Sequence, residues 1–303
     1  MLRFLISVIG AITLSGLALA CDMQSESRTS QLADYVEKGH MCLSAPPNAF
    51  RFDELTEQQF ERAINAAREE AGLQRLKVRS ETRPAARFHS LDMGVNEFFS
   101  HASPAGLAHH DRIAAFDRRL LSDRSAENVA VFGPAICKDQ NDRDVSCLSV
   151  PGFEIPSSST VVEKLHQELM DSEGHRENIL DPKMTHMVVG VARTDTGFHV
   201  TQLFVSLAGT LDEDLPLEMA LGHTIEATAT LDNWDDYQFA LQIEETPIDL
   251  KSGKLPQDVS GDATLNVRAE RVVEEKSGNS TQESRFWIYL SGPKFTVAPA
   301  KES

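Results

Sequence analysis

Histidine and glutamate side chains are the groups through which this sequence could do chemistry. Neutral imidazole and carboxylate are ligands that Zn²⁺ prefers, and an exchangeable or catalytic zinc site keeps one coordination position open. The chain contains no HExxH and no CxxC, so any metal site has to be assembled from segments that are distant in sequence. The candidates that precede the strand-rich last third of the chain are His89, His101, His109, His110, Glu127, Glu168, His175, His186 and His199.

Other catalytic signatures are missing from the sequence. It has no GxSxG element, which would present a serine nucleophile, and no glycine-rich phosphate loop. A cysteine nucleophile is disfavoured because the four cysteines form an even set that is better used in disulfides. An enzyme is therefore the less favoured class of protein.

The composition is that of a globular protein with an acidic character. The 303 residues are 41% hydrophobic and 25% charged, and the formal net charge is −17. Nucleic acids and anionic membrane surfaces attract basic proteins, so neither is expected as the main partner. The length allows one large domain or two ordinary ones.

The N-terminus predicts export to a secreted or periplasmic location. Residues 1–20 place Arg3 before an apolar run that ends in Ala18-Leu19-Ala20, which is typical of a secretory signal peptide. The run is short for a membrane span and no later segment is a better candidate, so no transmembrane segment is expected in the mature chain. Cys21 follows the small residues directly, which makes a lipid anchor on Cys21 the alternative to simple export.

The cysteines predict two disulfides in such an oxidising compartment. A bond between Cys137 and Cys147 would close a loop of about ten residues, which is worth a few kcal/mol in the chain-entropy model. A bond between Cys21 and Cys42 would then fix the mature N-terminus. Lipidation of Cys21 would leave an odd set of three cysteines, so simple export is favoured.

Hydrophobic periodicity predicts three helices and a hairpin after a polar N-terminal segment. Residues 21–50 are polar and contain two adjacent prolines, and they are interpreted as a tether with one short helix near 32–37. The helices are expected over 56–72, 81–98 and 159–171, with a long loop over 132–159 and two strands around 190–192 and 200–204. His89 lies inside the second of these helices and is interpreted as a packing residue.

The pattern changes from about residue 212, where short strand-like runs alternate with Gly, Asp, Asn and Pro. We therefore predict the α+β class, with an α/β/α sandwich over 51–210 and a small all-β, sandwich-like accessory domain over 211–303. The accessory domain is expected to contact a protein or envelope partner.

Five sequence elements occur in an order that resembles the CAP superfamily in its bacterial, SCP-like form. They are INAAREEAGLQRL, HSLDMGVNEFFSHASPAG, AENVA, SEGHRENIL and VVGVA followed by VTQLF, between residues 60 and 208. The resemblance implies an α/β/α sandwich with a surface cleft lined by two histidines and two acidic residues. In several family members the histidines hold a divalent metal, often Zn²⁺.

The resemblance also implies which residues of this chain line the cleft. His101 matches the first histidine, Glu127 the first acid and His175 the second histidine. The second acid aligns with Glu168 from the start of its helix, or with Ser172 from the Ser-x-Gly-His end. His101 and His175 are then the expected metal ligands, and Glu127 is expected to accept a hydrogen bond that orients one of them.

The expected function is an exported binding module for an apolar, lipid- or sterol-like small molecule or for a peptide. The alternative is a metal-assisted hydrolase, a peptidase of extracellular or cell-wall substrates, with Glu127 or Glu168 as its general base. A third interpretation is a structural envelope protein with a vestigial cleft.

Overall fold

A computed structural model describes most of the chain. The described residues are 21, 23, 32–47, 49–133, 136–138, 144–146, 156–234, 236–243, 246–250, 253–258, 260–277 and 280–298. Its helices are α1 Leu32–Ser44, α2 Glu54–Glu70, α3 Arg83–Val95, α4 His109–Phe116, α5 Ser158–Asp171 and α6 Glu173–Leu180, with a 3-10 turn at Ser80–Thr82.

The strands fall in three groups along the chain. The first are β1 Arg51–Phe52, β2 Lys77–Val78, β3 Leu120–Phe132, β4 Ile136–Lys138 and β5 Asp144–Ser146. The central hairpin is β6 His186–Arg193 with β7 Phe198–Leu211. The last group is β8 Glu218–Ala220, β9 Ala229–Leu231, β10 Asp236–Ile243, β11 Thr246–Asp249, β12 Gly261–Ser277 and β13 Ser280–Ala298.

The predicted helices are present, with shifted ends. The N-cap of α2 is Asp53, whose side chain accepts a hydrogen bond from Thr56 N at 3.1 Å, so the cap lies three residues before the expected Thr56. The helix ends where Gly72 adopts a φ of +73°, a left-handed conformation that glycine adopts without steric cost. The second predicted helix is shorter than expected and covers Arg83–Val95.

Two helical layers cover the central strands, which confirms the α/β/α sandwich. One core lies between the sheet and the helices α1, α3 and α4, and the other lies between the opposite face and α2, α5 and α6. Side chains alternate along β6, so Val188 faces the first core and Val189 faces the second core. Helix α3 approaches β6 closely at Gly190, where an added Cβ would collide with the backbone of Ala86 and Arg87.

The interpretation of residues 21–50 as a tether is wrong for residues 32–44. They form α1, which buries Leu32, Tyr35, Val36 and Cys42 in the first core. The apolar residues of this helix are few and spaced among charges, so its stability comes from packing against α3 and α4 rather than from its own pattern.

The predicted Cys21–Cys42 disulfide is present, with Cα atoms 4.7 Å apart. Because the Cys21 sulfur is used in this bond, the same sulfur cannot carry a lipid thioether. The signal peptide, Cys147 and the Cys137 side chain lie outside the described residues, and with them the second predicted disulfide. Within the described chain, no helix has the length and apolar character needed to cross a bilayer.

The C-terminal region is strand-rich and joined to the central sheet. Its described residues form no α-helix after Leu211 and have a hydrophobic core of their own, which also takes in Leu121 and Leu211. The strands run in the order β1-β6-β7-β3-β13-β12-β10-β11. Strand β13 joins β3 through the pair Ser291–Ser122, and the end of β7 pairs with β9.

Candidate functional site

Glu127 and Asn128 are adjacent on β3, and their side chains lie on opposite faces of the sheet. The Glu127 carboxylate contacts α4 and the turn after α3, whereas the Asn128 amide contacts α6. Both side chains are buried, with residue exposures of 4% and 0%. This dipeptide therefore connects the two helical layers.

His101 lies in the turn between α3 and α4 and is held by Glu127. Its Nδ1 donates a hydrogen bond to Glu127 Oε1 at 2.9 Å, while 56% of its side chain is exposed. Because the carboxylate can only accept, Nδ1 carries the proton, and the neutral ring keeps its lone pair on Nε2. Nε2 forms no hydrogen bond to any residue that the structure describes, so it is available to a ligand.

Arg112 completes the support of this pair. Its guanidinium is fully buried and donates to Glu127 Oε2, to the His101 carbonyl at 2.8 Å and to the Leu107 carbonyl at 2.7 Å. One side chain therefore fixes both the carboxylate and the backbone of the turn that carries His101. Such buried charges are stable because each is paired and hydrogen-bonded.

The electrostatics of this pair favour a charged carboxylate. Burial raises the pKa of Glu127, but the hydrogen bonds from His101 and Arg112 outweigh it and hold the pKa below its ordinary value. The hydrogen bond to Glu127 raises the pKa of His101, and partial burial opposes this only in part. Glu127 thus remains ionised and acts as a fixed acceptor.

His175 is the third residue of α6 and enters from the other layer. Asn128 Nδ2 donates to the His175 carbonyl at 3.2 Å, and Asn178 Nδ2 donates to Asn128 Oδ1 at 2.9 Å and to the Glu127 carbonyl at 3.2 Å. Burial lowers the pKa of His175, and the positive charge of protonated His101 lowers it further. The two imidazoles therefore lie within electrostatic reach of each other.

Glu168, the expected second acid, is exposed on α5. Its carboxylate makes no hydrogen bond or ion pair within the described parts of the chain. The alternative position, Ser172, links the end of α5 to the start of α6 and makes no side-chain cap. Neither residue is brought to the His101–Glu127 pair by a described contact.

The donors that the sequence predicted for a metal ion are the imidazoles of His101 and His175. Among the described residues there is no group of three or more His, Cys, Asp or Glu side chains that could hold a metal. Glu127 is already engaged through both oxygens, so it fits the role of an orienting acceptor rather than a ligand. A divalent ion would therefore be bound by His101 and His175, with water or a bound molecule completing its shell.

His89 is buried beneath this site, as expected for a packing residue. It is fully buried, and its Nε2 lies 2.9 Å from the Ser100 carbonyl, one residue before His101. Burial and the charge of Arg112 lower the pKa of His89 to about 4. The neutral ring donates from Nε2 and supports the turn that presents His101.

The other four candidate histidines have different positions, and His109 lies within electrostatic reach of Glu127. His109 and His110 begin α4, and burial lowers the pKa of His109. His186 lies at the start of β6 and contacts Thr185 Oγ1 at 2.9 Å, and His199 packs near Phe50. None of these four contacts the His101–Glu127 pair through a described hydrogen bond.

Arg112 and Asn128 are the site residues that the sequence predicted least. Arg112 directly precedes the apolar residues Ile113, Ala114 and Ala115. A charged residue beside such an apolar run can indicate that its side chain is buried against a carboxylate. Asn128 gave no signal of its own, because its role depends on which strand face meets α6.

Comparisons with known proteins indicate the family of the central domain. Residues 61–205 match the model of the CAP family, described as the cysteine-rich secretory protein family. The uncharacterised protein YkwD of Bacillus subtilis (strain 168) is 28% identical over 186 residues, which are 61% of this chain and 58% of that protein. The chain therefore matches less than two thirds of the length of this relative.

Two solved structures match parts of this chain. One is an extracellular protein of Bacillus anthracis that contains an SCP domain, with 26% identity and a TM-score of 0.37, over 50% of this chain and 41% of that chain. The other is an outer surface protein of Borrelia burgdorferi, with 14% identity and a TM-score of 0.39, over 52% of this chain and 98% of that chain.

Proposed function

Residues 61–205 form a CAP domain of the bacterial SCP-like type, and from this we propose that the protein is an exported binding module whose cleft holds a divalent metal ion. The ligands are His101 and His175, and Zn²⁺ is the ion that this donor set suits best. The proposal rests on the His101–Glu127 hydrogen bond, because it leaves Nε2 of a partly exposed imidazole free for coordination.

The oxidised Cys21–Cys42 pair supports the exported location, since such bonds persist in oxidising compartments. The same bond favours simple export over a lipid anchor on Cys21.

An apolar groove supports the binding of a lipid-like ligand by the same domain. The groove lies between α2 and α5, has a volume of about 620 Å³, and is lined on its apolar sides by Ala63, Ala66, Ala67, Val162 and Met170. A volume of this size falls in the range of small-molecule sites. The ligand class that fits these side chains is an acyl chain or another elongated apolar molecule.

A hydrolase is the weaker proposal because neither of the predicted general bases, Glu127 and Glu168, is positioned for that role among the described residues. Glu127 has both oxygens hydrogen-bonded and a pKa held below its ordinary value, so it is poorly placed to take a proton from water. Glu168 is exposed and makes no described contact with either histidine. Bound Zn²⁺ would supply Lewis acidity, but the chain would lack a positioned base beside it.

Metal binding is tested on the chelator-treated mature protein by Zn²⁺ titration against a chromophoric chelator. We expect one Zn²⁺ per chain, and at least about a tenfold weaker affinity in His101→Ala and in His175→Ala. His223→Ala is the matched control, because His223 is an exposed histidine in the strand-rich region. Wild-type affinity in both site variants would rule out this ligand pair.

Apolar binding is tested separately with a fluorescent fatty acid. Ala63→Phe narrows the groove and should abolish binding, whereas Arg62→Phe alters the neighbouring exposed position of α2 and should not. Equal binding by both variants would place the apolar ligand elsewhere.

A further inference from the structure

A second pocket lies where the strand-rich region meets the CAP domain. It has a volume of about 240 Å³ and is formed between α4, β3 and β13. Ile113 and Leu120 contribute apolar lining, Tyr289 contributes an aromatic ring, and His110, Asp123 and Arg124 contribute polar groups. None of these side chains takes part in the His101–Glu127–His175 site.

A β-bulge presents Asp123 at this pocket. Ser122 pairs with Leu207 and Arg124 with Ser206, so Asp123 is an extra residue without a partner on β7. Bulges of this kind redirect side chains and often lie beside functional sites. The Asp123 side chain is exposed, and it makes no hydrogen bond or ion pair with the residues that the structure describes. A free acceptor therefore lies at the pocket rim.

Donor groups lie beside this acceptor. The His110 ring lines the pocket, is 65% exposed and lies 3.6 Å from Asp111. Ser125 and Ser291 also line the pocket, whereas the Arg124 guanidinium is directed to Asp181 at 3.1 Å. One acceptor and several donors thus belong to one small cavity.

Aromatic rings extend from the pocket along one face of β13. Trp287 and Tyr289 are two residues apart, so they share a face, roughly 7 Å apart along the strand. Their residue exposures are 59% and 44%. The Arg268 guanidinium lies 5.2 Å from the centre of the Trp287 ring and holds it against β12. Large exposed aromatic side chains at such positions indicate a binding surface.

We propose that this pocket and the adjoining Trp287–Tyr289 face bind a neutral oligosaccharide. A sugar ring has an apolar C–H face, which stacks on an aromatic ring, and a rim of hydroxyls, which need both acceptors and donors. Asp123 accepts from these hydroxyls, and His110 and Ser125 donate to them. Among oligosaccharides, an anionic one is disfavoured because the net charge of −17 repels it.

The size of the pocket sets the length of the ligand. A volume of about 240 Å³ is below that of drug-sized sites and fits one hexose-sized ring. Trp287 lies farther along the same strand face and stacks against the next ring of the chain. Two or three sugar units therefore fill the site.

The test uses triacetylchitotriose and maltotriose with the mature protein. The chain has two tryptophans, Trp234 and Trp287, so Trp234→Phe makes Trp287 the only tryptophan reporter. We expect a saturable change in its fluorescence with at least one trisaccharide, and calorimetry should give the same affinity. Tyr289→Ala and Asp123→Asn should each weaken binding by about tenfold or more.

Two controls make the result specific. Phe286→Ala removes a ring that is 51% exposed on the opposite face of the same strand, and it should leave affinity within about twofold. His101→Ala should also leave affinity unchanged, so failure of the metal site and failure of this site are distinguishable. Circular dichroism establishes that each variant is folded.

The proposal is overturned by either of two results. One is that neither trisaccharide binds the folded wild-type protein. The other is that Tyr289→Ala and Asp123→Asn retain wild-type affinity, which would mean that the sugar binds elsewhere. Binding of a peptide to the Trp287–Tyr289 face in the absence of sugar binding would assign this face to a protein partner instead.

Discussion

Glu127 Oε1 accepts a hydrogen bond from His101 Nδ1 at 2.9 Å, while Glu127 Oε2 is bound by the buried Arg112. The carboxylate is thus shared between a partly exposed ring and a buried cation. This sharing fixes the tautomer and orientation of His101, so that Nε2 is presented without further reorganisation. A ligand that meets this nitrogen does not have to order the ring first.

Glu127→Gln should lower both metal affinity and stability. The amide leaves Arg112 buried without its counter-charge, which we expect to cost about 3–5 kcal/mol in the free energy of unfolding. Loss of the orienting acceptor should weaken Zn²⁺ binding about 10–100-fold. Urea unfolding and Zn²⁺ titration measure the two effects.

Glu168→Gln is the matched control for Glu127→Gln. Glu168 is exposed on α5 and makes no described side-chain contact, so both affinity and unfolding free energy should stay at wild-type values. A loss of Zn²⁺ affinity in Glu168→Gln would show instead that this carboxylate reaches the metal.

Asn178→Ala should loosen the helix that carries His175. The change removes the bonds to the Asn128 side chain and the Glu127 carbonyl, and each lost bond is worth about 1 kcal/mol. Amide hydrogen exchange should accelerate within α6 while β3 stays protected. The exposed neighbour Glu177 provides the control Glu177→Ala, and equal exchange in the two variants would contradict this role of Asn178.

His89 should make the metal-free protein less stable as the pH falls from about 6.5 to 4. Its pKa is near 6.5 in the unfolded chain and about 4 when folded. The unfolded state therefore binds more protons in this window, and about 3 kcal/mol of stability present above pH 6.5 is lost by pH 4. Urea unfolding across this range, with chelator present, measures the loss.

The stability lost between pH 6.5 and pH 4 should be about 3 kcal/mol smaller in His89→Gln than in the wild type, whatever the stability of the variant at neutral pH. His223→Gln changes an exposed histidine and should keep the wild-type slope. If His89→Gln retains the full pH dependence, groups other than His89 are responsible for it.

Gly292→Ala should destabilise the junction between β13 and β3. An added Cβ would lie 2.5 Å from the Leu265 carbonyl oxygen and 2.9 Å from Leu121 Cδ2. Such overpacking costs about 1–3 kcal/mol. Gly133→Ala has nothing within 4 Å of its Cβ and is the control. Equal unfolding free energies for Gly292→Ala and Gly133→Ala would mean that the strands around Gly292 accommodate the added methyl group at little cost.

Cys21→Ser should lower the unfolding free energy of the mature protein by about 3 kcal/mol, because the Cys21–Cys42 loop is no longer closed in the unfolded chain. Alkylation of denatured, unreduced wild-type protein should leave Cys42 unmodified. A reactive Cys42 thiol, together with an acylated N-terminal mass, would instead establish lipidation of Cys21.

Periodicity and motif order predicted the layered CAP domain and its helices. A short helix was predicted near 32–37, but the full length of α1 and its burial were not, because polar residues and Pro46-Pro47 dominate its surroundings and tertiary contacts stabilise it. The hydrogen bonds of Arg112 and Asn128 could not be predicted from the sequence, because they depend on which face of β3 meets each helical layer. The joint at Ser122–Ser291 links residues 169 positions apart, and local patterns do not encode such a contact.

The unpaired residues Asp123 on β3 and Ala208 on β7 offset each other in the register of the two strands. Leu121 pairs with Gly209 before them and Arg124 pairs with Ser206 after them, so the pairing frame is the same on both sides. Side chains alternate along a strand, so a shift of one residue would exchange the directions of Glu127 and Asn128 and leave each facing the wrong partners. The continuous pairing of Arg124–Phe132 with β7 therefore determines which side chain meets α4 and which meets α6.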